Sequence, residues 1–211
     1  MISGRNAQND KKTEADMGMY LRIIAVLLIV AACGSRSEFS APSNLDNACG
    51  LASERPQYFR AMQQAERRWN VPVPVQMAII HAESRFIGDA RTPYRWAAGV
   101  IPMGRQSSAY GYSQALDRTW EEYQAETGGR RAQRDRIQDA TDFIGWYSHK
   151  SRDRNGIALT DARNLYLAYH EGHTGYANGS YLAKGWLINV ADRVGTRAVM
   201  YDAQLRSCRR R

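Results

Sequence analysis

Long apolar runs are the first thing this sequence has little of. The longest, Leu21 to Val30, is broken only by Arg22. It is too short to cross a bilayer comfortably, which takes ~20 residues, and suits the hydrophobic region of a signal peptide better. Period-two alternation is also lacking, which argues against a mainly β chain. Neither an internal repeat nor a heptad run occurs, so solenoids and coiled coils are excluded. Cysteine is scarce, with three in 211 residues, and the net charge of +8 is carried almost entirely by arginine rather than lysine. What remains, 44% apolar and 10% aromatic, is ordinary for a globular chain and enough to bury one good core.

The apolar run leads into Val30-Ala31-Ala32-Cys33, which resembles a bacterial lipobox. Cys33 is the expected lipid anchor, and residues 1–33 the expected signal peptide. Residues 1–16 are polar and mixed in charge, unlike the start of such a signal, so Met17 or Met19 is the expected start. A lipoprotein of this kind, with Gly34 after the cysteine, is expected on the periplasmic face of the outer membrane. Outside the cytoplasm, a basic surface suits a membrane face or the anionic polymers of the cell wall more readily than nucleic acid. Cys49 and Cys208 are left as a pair that could form a disulfide in an oxidising compartment, or stay as two free thiols.

Residues 34–54, rich in Ser, Ala, Asn and Gly, read as a flexible tether. The domain is expected over 55–208, with 209–211 as a basic tail. Six helices are predicted, so the fold class is mainly α. Pro56 opens the first, which stops at Asn70 before Val71-Pro72-Val73-Pro74. Pro74 opens the second, with Val75, Ala78, Ile79, Ala82 and Phe86 on one face and Glu83 roughly 80° from its centre. Residues 87–110 read as a long loop, and loops of that length are usually functional or mobile. Further helices are predicted over about 117–127, 135–152 and 161–169, the last capped by Thr160. The final helix runs from about Tyr181, with Leu187, Val190, Val194, Ala198, Tyr201 and Leu205 inward.

Three stretches place polar groups where a purely structural chain has no need of them: Glu83-Ser84, Gly111-Tyr112-Ser113-Gln114, and Ala168-Tyr169-His170-Glu171-Gly172. Each alone has a plain explanation, such as pairing of Glu83 with Arg85. In order, with Phe86 after the first, Thr119-Trp120 after the second and Gly172 closing the third, they resemble the catalytic domain of soluble-type lytic transglycosylases, relatives of goose-type lysozyme. The resemblance covers roughly residues 56–205. Tyr112-Ser113 stands where that family has Leu-Met, and His170 where it has asparagine.

The resemblance implies a lysozyme-like single domain acting on peptidoglycan glycan strands, with no cofactor or metal. It implies that Glu83 is the acid and later the base of a reaction needing no second carboxylate, and that Tyr169 orients Glu83 or the substrate's acetamido group. Ser84, Gly111, Tyr112, Ser113, Gln114 and His170 would line the glycan-binding site. The residues themselves agree on the central point, because a carboxyl at the edge of an apolar face keeps its proton to higher pH. Asp89, Asp117 and Glu171 are available as second carboxylates, but spacing marks none of them. Tyr110, Tyr112 and Trp120 could stack on sugars, Trp120 equally well being core.

His170-Glu171-Gly172-His173 superficially resembles a zinc site, but its histidines are three apart rather than the required four. Two other readings stay open: a muramidase using water, and a glycan-binding lipoprotein of an envelope complex. A monomer is expected, with a protein partner in such a complex left open.

Overall fold

Six helices are expected and seven are found in the computed structural model, which describes residues 39–208. Cys33, the signal region and the basic tail lie outside the described residues. The helices are α1 (Ala48–Glu54), α2 (Pro56–Trp69), α3 (Val73–Ser84), α4 (Asp117–Thr127), α5 (Ile137–Asn155), α6 (Ala162–Ala177) and α7 (Gly185–Cys208). A hairpin of β1 (Tyr94–Ala97) and β2 (Ile101–Arg105) stands between α3 and α4, and a 3-10 turn, Ser180–Ala183, precedes α7. The chain is thus mainly helical and has a lysozyme-like single domain.

The unexpected helix is α1, which falls inside the stretch read as tether. Its polar composition hides two buried residues, Ala48 and Leu51, and an N-cap in which the Asn47 side chain accepts from Gly50 N–H at 2.9 Å. Cys49 on α1 and Cys208 at the end of α7 are joined in a disulfide, with Cα atoms 6.1 Å apart. Tethering as a description therefore fails for 48–54, which are packed and covalently fastened.

Helix α3 forms the middle of the core. Val73, Val75, Met77, Ala78, Ile79 and Ile80 are buried with Gln76, so the helix is apolar nearly all round rather than on one stripe. Gln76 is accommodated because its amide donates to the carbonyls of Met62 and Val71 at 3.0 and 2.8 Å, as a buried amide must. Helix α7 packs along α3 and α6, while α5 packs along α2 and α6. The inner stripe of α7 holds Leu187, Ala191, Val194, Ala198, Tyr201 and Leu205, with Val190 partly buried.

Two predicted boundaries move. Helix α6 does not stop at Tyr169 but kinks at Gly172 (φ 75, ψ 160) and resumes to Ala177, and its N-cap is Asp161, whose carboxylate accepts from Asn164 N–H. The long loop after Phe86 contains the hairpin, turned over the three residues 98–100, with Ala98 and Gly99 both at positive φ and Val100 N–H donating to the Ala97 carbonyl. The register shifts between Tyr94 and Trp96, which breaks the alternation that would have revealed these strands.

Candidate active site

Helix α3 ends at Ser84 because Arg85 and Phe86 both adopt left-handed backbone, φ 54 and 63. That geometry is costly for residues with a Cβ, and burial of Phe86 offsets it. Its ring is fully enclosed and stacks on Tyr58 at 6.2 Å. Ser84 adds a second anchor, its hydroxyl donating to the carbonyls of Tyr112 at 2.8 Å and Ile80 at 3.3 Å. Together they hold the last turn of α3, and with it Glu83.

Glu83 is half-buried. Burial pushes its carboxyl up to about 7, tempered by a hydrogen bond from the Tyr166 hydroxyl. Its place in the final turn, beside unpaired helix carbonyls, acts in the same direction as burial. Arg85 is exposed and is not among the causes of the shift, so the pairing that would have made Glu83 an ordinary surface carboxylate is absent. Tyr169 lies close enough for its own hydroxyl to be raised by the Glu83 charge, after burial as the main cause.

The second motif builds a ledge beneath this residue. Gly111 has φ +81, and a Cβ there would come within 2.1 Å of the Arg134 carbonyl oxygen, so the position is closed to any other residue without movement. The N–H groups of Gly111 and Tyr112 donate to the carbonyls of Ala90 and Arg134. Tyr112 is buried, its hydroxyl 2.7 Å from that of Tyr58. Ser113 is fully buried, its carbonyl accepting from the Tyr169 hydroxyl at 2.6 Å, while its own Oγ has no hydrogen-bond partner. Gln114, at φ 49, donates its amide to Ala90 and Gly111 carbonyls.

These positions correct the expectation of a row of sugar-binding groups. Ser84, Tyr112 and Ser113 are beneath the surface and hold the ledge to α3 and α6. Gly111 provides its turn. Tyr169 is likewise committed to the ledge and does not donate to Glu83. The stacking roles of Tyr112 and Trp120 also fail, since both are core residues. Tyr110 is occupied by Asp135, to which it donates at 2.8 Å, and by Arg91 over its ring at 4.0 Å.

Gln114, Tyr169 and His170 do share an open feature, a cleft of 240 Å³ lined also by Thr119, Glu171 and Gly172. A neighbouring hollow of 420 Å³ shares Thr119, Glu171 and Gly172 and extends to Trp146 and Arg154. Larger concavities of 660 and 930 Å³ lie elsewhere, but none of the three motifs' residues lines them. Glu83 lines neither cleft but lies against Tyr166 and Tyr169, and Tyr169 lines the smaller one.

Tyr166 is the residue that the sequence reading missed. It lies three positions before Tyr169, one helical turn away on the same side of α6, and that spacing was the available signal. Asp117 and Glu171 are engaged elsewhere. Asp117 pairs with Arg134 at 2.7 Å, and the Lys184 ammonium, with Ser180 and His170, holds the Glu171 carboxyl down at about 2. Gly172 sends the two nearby histidines apart: His173 meets Ser151 at 3.0 Å and stacks on Tyr147, whereas His170 meets Glu171 and Trp186. Among the described residues, no group of three or more potential metal ligands occurs.

The transglycosylase SLT domain family matches residues 21–208. The chain belongs to that family. Its general function is of the lytic transglycosylase type and acts on peptidoglycan. No curated protein matches the chain. Within this SLT domain, all three motifs meet around the end of α3, the first two through Ser84 and Tyr112, the second and third through Ser113 and Tyr169.

Proposed function

We propose that the protein cleaves the β-1,4 bond between N-acetylmuramic acid and N-acetylglucosamine in peptidoglycan, leaving 1,6-anhydro-muramic acid ends. The observation that carries this reading is the Glu83 carboxyl, which keeps its proton to about pH 7 with no second carboxylate among the causes of its shift. A paired-carboxylate glycosidase needs a partner across the bond; of the three candidates, Asp117 and Glu171 are engaged by Arg134 and Lys184, and Asp89 is exposed and lines neither cleft.

In this mechanism Glu83 gives its proton to the glycosidic oxygen as the bond from C1 breaks, releasing the 4-hydroxyl of N-acetylglucosamine. The substrate's acetamido oxygen supports the positive charge at C1. Ionised Glu83 then takes the proton of the muramic acid 6-hydroxyl as that oxygen bonds to C1. The proton count closes, water is not consumed, and Glu83 is restored. Tyr166 steadies the ionised form between the two transfers by donating to it, while Tyr169 holds the ledge. Gln114 and His170 face the cleft and are assigned to the glycan.

Mass spectrometry of soluble products from purified peptidoglycan, compared with a Glu83→Gln variant, tests the assignment. Anhydro-muropeptides that disappear in the variant are expected. Reducing ends instead would establish a muramidase, and retained binding without products would leave a glycan-binding module.

We also propose Cys33 as a lipid anchor to the periplasmic face of the outer membrane, supported by the lipobox-like Val30-Ala31-Ala32-Cys33. Metabolic labelling with a fatty acid should mark the wild type and spare Cys33→Ser; equal labelling would refute it.

A further inference from the structure

The β1–β2 hairpin has no role in the site described above, yet it exposes a set of side chains that folded proteins usually cover. Trp96 is 57% exposed, Val100 74%, Ile101 55% and Met103 57%, with Tyr94 beside them at 48%. Tyr94 and Trp96 share one face with Pro102 and Arg105, while Ala97 and Ile101 share the other. Apolar groups on both faces of a two-stranded ribbon leave it no side to bury against its own domain, and such ribbons are marginal alone in water. A medium that covers both faces suits it better than a partner groove that covers one.

Charge narrows the choice. From Ala90 to Leu116 there is no acidic residue, whereas Arg91, Arg95 and Arg105 all fall in that span. Arg105 lies over the Tyr94 ring at 4.4 Å, so an aromatic and a cation stand side by side at the hairpin base with the apolar tip beyond them. Aromatics and arginines at the level of lipid headgroups, with aliphatic groups beyond, are the arrangement of an interfacial element.

The course of the chain narrows it further. Phe39, the first described residue, packs at Gly88, where an added Cβ would approach its ring to 2.5 Å. Six chain steps lead from Cys33 to Phe39, a reach of at most ~21 Å, and six more lead from Gly88 to Tyr94. The chain therefore enters the domain at the root of the hairpin.

We propose that the hairpin Tyr94–Arg105 is a membrane-docking element that seats its apolar tip in an anionic phospholipid surface. For its placement the inference rests on lipidation at Cys33, and it is independent of the cleavage reaction. The two acyl chains of a diacylglyceryl cysteine already anchor a chain stably, so the hairpin's part would be a second contact beside them. It would also fix how the domain stands on the membrane.

The test uses unlipidated chain from Gly34 to Arg211, which retains the whole core and the disulfide. It is sedimented with vesicles of phosphatidylglycerol and phosphatidylethanolamine, and with neutral phosphatidylcholine vesicles. Binding to the anionic vesicles is expected, weakening with salt, and ~10-fold or more weaker in the triple variant Trp96→Ser, Ile101→Ser, Met103→Ser. In the wild type, lipid brominated in its acyl chains should quench tryptophan fluorescence, and Trp96→Phe should remove most of that quenching, a readout that does not depend on the triple variant folding. Equal binding by wild type and triple variant, or no binding by either, would overturn the proposal. So would loss of peptidoglycan binding in the triple variant with vesicle binding unchanged, which would assign the hairpin to glycan. Because vesicle binding is read without any cleavage, the result stands apart from the fate of the enzymatic reading.

Discussion

Tyr166 donates its hydroxyl to Glu83, while Tyr169, one turn further along α6, donates to the carbonyl of Ser113. The two tyrosines thus divide the work expected of one: the first bears on the acid and the second on the ledge beneath it. A donor to the ionised carboxylate lowers its pKa. Removing it with Tyr166→Phe should raise the Glu83 pKa further and carry the alkaline limb of the pH–rate profile upward by roughly half to one pH unit. An unmoved limb with a uniformly lower rate would mean that Tyr166 acts only through packing.

Wild-type cleavage should fall as pH rises through about 7, where Glu83 gives up its proton, since the first step needs the protonated acid. The same residue should make stability depend on pH. Its folded carboxyl holds the proton to about 7, against an ordinary value of 4.5. The stability it contributes is therefore fully present below about pH 4.5 and lost as pH rises through about 7. Glu83→Gln carries no such loss and should be more stable than wild type at pH 8, by at most about 3 kcal/mol, with the gain vanishing near pH 4. Urea denaturation at the two pH values measures it, and a variant less stable at pH 8 would contradict the desolvated carboxyl.

Gly111→Ala should be severe through the fold alone. The added carbon meets the Arg134 carbonyl at 2.1 Å on a backbone of φ +81. A loss of about 3 kcal/mol is expected from strain and the displaced hydrogen bonds. Thermal melting would record it, and a melting point within error of wild type would show that the ledge yields freely.

Opening the disulfide should also destabilise the domain. Cys49 and Cys208 are 159 positions apart, and closing so long a loop is worth about 5 kcal/mol in the chain-entropy account. That corresponds to a fall of roughly 10 °C in melting temperature for a domain of this size. Melting of the oxidised protein against Cys208→Ser decides it.

How much of this was legible in the sequence varies with what decides each feature. Proline and αL-forming residues bound α2 and α3 clearly, because Pro56 and Asn70 act locally. Glu83 could be singled out because a carboxylate after an apolar run has few innocent explanations. Tyr112, Ser113 and Ser84 were assigned to glycan because a hydroxyl looks alike whether it faces solvent or a carbonyl within the fold. Only the approach of Tyr58 and α6 settles that. The hairpin escaped because its four- and five-residue strands carry a proline, a glycine and a register shift, which leave too little alternation to read. Helix α1 escaped because what holds it is a partner 159 residues away.

That sulfur bridge has a mechanical consequence. It joins the first helix to the end of the last, so a pull between the segment before Cys49 and anything following Cys208 travels through one covalent link. The residues between them, Glu83 and its ledge included, form a slack loop that bears none of the load. A domain held to a membrane at one end and strained from the other could therefore keep its cleft in shape under tension.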